Sequence, residues 1–137
     1  MSTQDETLPE DVRQAVEEAR ASLEAQYAPF GLEPPIVVAE AYGIPCVLLP
    51  WPIQRRNQAL RQASGKAELE RAVFVAESVV VDCAFWVRGQ QEPGRVGAVK
   101  HLRSLAQIGY SMIFDKLGGE YLRVSDEVGG STAAKKL

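Results

Sequence analysis

The sequence predicts an α+β fold, a small and mostly helical domain of four helices and one β-hairpin. Three observations predict it. Between Leu69 and Val87 the residues Leu69, Ala72, Val73, Ala76, Val79, Val80, Cys83 and Val87 recur at steps of three and four, one face of a 3.6-residue helix. Phe74, Val75, Val81, Phe85 and Trp86 widen that face, so the segment needs neighbours on more than one side and is expected to be the central post of the fold. Val12, Val16, Ala19, Leu23 and Tyr27 give a second, amphipathic repeat, and two Val/Ile-rich runs over 36–40 and 44–49 flank the short turn Ala41-Tyr42-Gly43, the pattern of a hairpin.

Each element has its own start and stop. The first helix is expected to open at Thr7-Leu8-Pro9-Glu10, with Thr7 as cap, proline in the first turn and Glu10 and Asp11 at the positive end of the dipole. Pro29-Phe30-Gly31 stops it. In the hairpin, Pro45 cannot donate to a ladder, which predicts an edge strand or a start delayed to Cys46. Pro50-Trp51-Pro52 leads into a polar helix that Gly65 closes. The dry helix then runs to Arg88-Gly89. Residues 89–94 form a loop, and a last helix is expected from Arg95 to Leu117, lined by Leu102, Leu105, Ala106, Met112, Ile113 and Leu117 and ended by Gly118-Gly119. Val79, Val80, Cys83, Leu102 and Leu105 are the predicted core. The weak point is Val79-Val80-Val81, whose β-branched side chains suit a strand, so residues 72–87 as a buried strand is the competing reading.

The 137 residues suit one domain over 1–128, followed by a tail over 129–137 that is expected to be disordered because it contains Gly129-Gly130-Ser131 and Lys135-Lys136. Net charge is a mild −3, unevenly spread. Residues 1–28 carry −5 and residues 51–71 carry +3, which makes an acidic first helix and a basic middle available for internal or partner contacts. The polar, acidic start is no secretory signal, and Glu77 and Asp82 interrupt the best apolar run, so a cytoplasmic protein without a membrane span is expected. Cys46 and Cys83, both in apolar surroundings, read as buried reduced thiols.

Residues that could carry chemistry are sparse. His101 stands alone, so a His-Glu-x-x-His zinc site is excluded by count, and beside Lys100 and Arg103 it reads as a solvated or capping side chain. Cys83 lies on the dry face, where a thiolate would be poorly solvated. Glu77 and Asp82 are five residues apart on one helix and do not converge, which predicts two exposed charges. Gly94-Arg95-Val96-Gly97 lacks the lysine and spacing of a P-loop. No enzyme, cofactor or metal site is therefore expected. Arg55, Arg56 and Arg61, with Trp51 nearby, form the one basic cluster, which reads as a solvated face or as salt bridges to the acidic first helix.

The order of elements in the middle of the chain has a counterpart. A strand pair exits through Val47-Leu48-Leu49-Pro50-Trp51-Pro52 into a polar, arginine-containing helix; two helices follow, separated by a loop with Pro93-Gly94 and closed by Gly118-Gly119. Over residues 36–119 this resembles the small tail assembly chaperones of long-tailed bacteriophages. The last helix is longer than that pattern, and the helix over 9–28 has no counterpart in it. The resemblance implies a non-enzymatic viral protein that covers apolar helical segments of a client, chiefly the tape-measure protein, during tail assembly. Such a binder needs exposed aromatic or apolar surface, for which Trp51, Phe74, Phe85, Trp86 and Tyr110 are the candidates, and it is expected to self-associate until its client arrives. Two alternatives remain open: a small helical regulator that binds nucleic acid through Arg55, Arg56 and Arg61, and a degenerate metallopeptidase-like regulatory domain without metal.

Overall fold

A computed structural model describes residues 7–128. Among these, five α-helices and a three-stranded antiparallel sheet follow one another as α1 (Glu10–Tyr27), β1 (Val37–Ala41), β2 (Ile44–Leu48), α2 (Ile53–Ala63), α3 (Glu68–Cys83), β3 (Ala84–Val87), α4 (Gly94–Gln107) and α5 (Ile113–Val128). The class is the mixed helix-and-sheet fold expected, with one strand and one helix more than the sequence pattern suggested. The expected tail over 129–137 lies outside the described residues.

The sheet is the middle layer. Its order is β1-β2-β3, so β2 is central. Period-two alternation sends Val37, Ala39, Ala41, Cys46, Leu48 and Val87 to one face, where they pack with Val79, Val80, Leu102, Ile113 and Leu117 of the last three helices. Val38, Val47, Phe85 and Trp86 go to the other face, under Val12, Ala15, Val16 and Ala19 of α1. Two cores thus lie back to back, and Cys46, Val47, Leu48 and Leu49 are all buried. A strand covered on both faces reads as a continuous apolar run, as this one does.

Five expectations are corrected. Residues 84–87 leave the long helix and form β3, pairing Cys46 with Val87, Val47 with Trp86 and Leu48 with Ala84 across a bulge. The aromatic pair Phe85-Trp86 favours strand, and β2 offers an open edge rich in buried groups. Pro45 does not mark an edge strand: it sits at the start of central β2, where its carbonyl accepts a bond from the Arg88 N–H at 3.2 Å and its missing donor costs one bond at the end of the β3 ladder. The hairpin turns through Tyr42 (φ 54°) and Gly43 (φ 74°), both left-handed, as a two-residue turn requires. The expected last helix is two, broken at Gly109 (φ 127°). Gly118-Gly119 does not end anything; it lies inside α5, which continues the apolar repeat through Leu117 and Tyr121. The N-terminal turn of α1 is opened by Pro9 without a side-chain cap, so Thr7 does not play that part.

Of the predicted core, Val79, Val80, Cys83 and Leu102 are fully buried and Leu105 is half-buried at its margin. The sides of α3 differ along its length. Ala76, Val79, Val80 and Cys83 are buried, whereas Leu69, Ala72 and Val73, one to two turns earlier on the same face, are exposed.

Gly118 and Gly119 provide a sharp check on these packing contacts. A Cβ at Gly118 would fall against the carbonyl of Ala76, where α5 crosses α3, while one at Gly119 meets nothing. Gly119→Ala is expected to stabilise by about 0.5–1 kcal/mol, the helix-propensity difference. Gly118→Ala is expected to destabilise by roughly 1–3 kcal/mol through forced separation of two backbones. Thermal melting of the pair decides it: equal shifts in one direction would contradict an α5 that runs through both glycines.

Candidate functional site

Three surface depressions adjoin one another on the outer side of α3 and share Glu77. The first lies between α2, α3 and α4 and is bounded by Arg55, Gln58, Phe74, Asp82 and Arg103. The second runs between α3 and the α4–α5 break, with Val73, Ala106, Met112 and Phe114 in its walls. The third follows the N-terminal half of α3 along Leu69, Val73 and Phe74. Together they make one groove whose polar end is the first depression and whose apolar end is the other two.

The apolar end exists because α3 overhangs the core. Val79, Val80 and Cys83 of its C-terminal half join the core with the sheet and α5, whereas Leu69, Ala72 and Val73 of its N-terminal half stay exposed. Leu69 stays 79% exposed, Val73 40% and Met112, from the α4–α5 link, 47%. Phe74 is half-buried, with Lys66 Nζ 5.0 Å from its ring centre, and Arg103 stacks 5.7 Å over the ring of Phe114. The two cations rest on apolar faces without closing over them.

The polar end is held by Asp82. Its side chain accepts from Trp51 Nε1 at 2.9 Å and from Arg55 at 2.9 and 3.3 Å. The expectation of two exposed carboxylates therefore fails for Asp82, whose side chain is 10% exposed, and holds for Glu77. Asp82 in turn holds Arg55 more firmly protonated. Arg55 is thus tied to α3, not to the acidic first helix; the bond from α1 to the rest is Asp11 with Arg88, at 2.8 and 3.0 Å, which keeps Asp11 below the usual carboxylate range. Of the basic cluster, Arg56 and Arg61 remain exposed for other contacts.

The five aromatic candidates do not share one surface. Phe74 lines the groove. Trp51 is half-buried and anchored at both ends, its indole to Asp82 and its backbone N–H to the Tyr121 hydroxyl at 2.8 Å. Phe85 and Trp86 are half-buried beneath α1, across the sheet. Tyr110 packs edge-on against Tyr42 at 4.9 Å near the hairpin turn. Sequence reasoning missed Leu69, Val73 and Met112, all assigned to the interior because periodicity reports a face and not what covers it.

The remaining chemical groups are engaged structurally. Arg95 donates to the carbonyls of Asp82 and Ala84 at the end of α3. His101 is half-buried beside Gly89. Burial pushes the Cys46 and Cys83 thiols up to about 12. Tyr121 is likewise raised to about 12, chiefly by burial. Among the described residues, no three His, Cys, Asp or Glu side chains come together as metal ligands would, and no helix is long and apolar enough to cross a membrane. Comparison with protein-family models, with curated proteins and with solved structures returns no match to this chain.

The thiol environments predict a reactivity. At pH 8 the native protein, its thiols protonated and enclosed, is expected to resist an aromatic disulfide reagent, and labelling is expected to follow unfolding with urea. Labelling of either cysteine within seconds in the absence of denaturant would contradict the burial of both.

Proposed function

We propose that this chain is a non-enzymatic binding protein that covers an apolar helical segment of a protein client, the activity implied by its resemblance to phage tail assembly chaperones. One observation carries the reading. The apolar face of α3 does not change character where the core ends; it continues from Ala76, Val79 and Val80 to exposed Val73 and Leu69, joined by Met112. An amphipathic helix laid there would extend the interior packing outward by about two turns, the helix-in-groove mode of recognition. Methionine at the rim suits such a site, since its unbranched side chain adapts to varied apolar partners. Phe74 is the aromatic candidate that belongs to this surface, with Lys66 and Arg103 at its edge. The nucleic-acid reading loses support from Arg55, whose guanidinium is occupied by Asp82.

Coexpression with the tape-measure protein of a long-tailed phage tests the proposal through the soluble yield of that client. Leu69→Glu/Val73→Glu is expected to reduce the yield to that of the client alone while leaving the melting temperature within about 2 °C, because both residues are surface positions. Capture is also expected to persist at high salt, which would weaken phosphate or charge recognition steeply. A double variant that keeps the client soluble as well as the unsubstituted chain does would overturn the groove as the binding surface.

A further inference from the structure

We infer that copies of this chain associate head to tail, the outer face of α1 on one copy docking against the outer face of α2 on the next. This inference does not depend on the α3 groove. It begins from two helices whose exposed sides carry charges of opposite sign. On α1 the residues Gln14, Ala21 and Ala25 lie along the exposed midline, with Glu17 and Glu24 on one flank and Glu18 on the other. On α2 the exposed strip is Ile53, Asn57 and Leu60, continued by Ser64 just past its end, with Arg56 on one flank and Arg61 on the other. One strip is small and edged by carboxylates. The other carries two large aliphatic side chains, Ile53 at 62% and Leu60 at 41% exposure, and is edged by guanidiniums.

The two strips match in three respects. Each spans twelve residues, about 16 Å from first to last. Ala21 and Ala25 present little side-chain bulk, which gives Ile53 and Leu60 room for close approach. The flanking charges are opposite on both sides, which fixes register and disfavours like-with-like pairing. Among the described residues Glu17, Glu18, Glu24, Arg56 and Arg61 have no ion-pair partner. Nor can the strips meet within one chain. Helix α1 covers the Val47 face of the sheet, whereas α2 lies on α3, beyond the opposite face. Contact between unlike patches on one molecule leaves each copy with a free donor and a free acceptor patch, so it propagates unless the rotation closes a ring.

Sedimentation velocity over about 10 to about 500 μM tests this. The unsubstituted chain is expected to show a weight-average sedimentation coefficient that rises with concentration at about 50 mM salt and returns to the monomer value at about 500 mM. Glu17→Lys/Glu24→Lys and Arg56→Glu/Arg61→Glu are each expected to remain monomeric at low salt with unaltered circular dichroism. An equimolar mixture of the two is expected to associate again, because the unaltered α1 of one meets the unaltered α2 of the other and the two reversed strips are likewise opposite in charge. Glu40→Lys/Glu92→Lys, the same charge change placed off both strips, is expected to associate like the unsubstituted chain. The inference is overturned by an unsubstituted chain that stays monomeric throughout, by a strip variant that associates undiminished, by a mixture that does not, or by an off-strip variant that also falls to monomer.

Discussion

At residues 82–84 the backbone leaves a helix and enters a strand without an intervening loop. A helix end leaves its last carbonyls in need of partners, and here the Ala84 N–H takes that of Val80. Arg95 of α4 takes the Asp82 and Ala84 carbonyls, and the Leu49 N–H takes that of Cys83 at 2.8 Å. The Asp82 side chain meanwhile binds Trp51 and Arg55. Three consecutive residues therefore connect the end of β2, the entry to α2, the start of α4 and the sheet. The position of β3, and through it the two-faced burial of β2, follows from this junction.

Much of the chain could be read from residue pattern. Helix α1, the hairpin and α2 have clean local signals, a period of four or three with prolines and glycines outside it, and their placement agrees with the structure. Failures occur where a tertiary partner decides. Phe85 and Trp86 continue a helical face as well as they alternate in a strand, and only the open edge of β2 selects the strand. Gly118-Gly119 reads as a stop because glycine is costly inside a helix, yet at Gly118 that cost is offset by backbone contact with Ala76. Tyr121 and Val124, continuing the repeat of Ile113 and Leu117, were the signal that the helix runs on.

The groove was less legible than the fold, for a related reason. Periodicity distinguishes the wet from the dry side of α3 and carries no information about where its neighbours end. Leu69 and Val80 look equivalent in sequence, and one is bare and the other enclosed because α5 and the sheet cover only the second half of the helix. Asp82 and Glu77 look equally exposed, and differ because Trp51 and Arg55 arrive from a proline-bounded segment far away in the chain.

Helix α2 is secured by very little. Its buried side chains are Ala59 and Ala63, and its substantial contacts are with α3 alone. With two buried methyl groups and one ion pair to hold it, this helix is expected to open locally at a lower free energy than the sheet or α5, and its amides to exchange with solvent through that opening. Anything that settles on its outer face is thermodynamically linked to that opening: association raises protection in α2, and protection in α2 measures association. The helix thereby serves as an internal reporter of whether its exposed side is occupied.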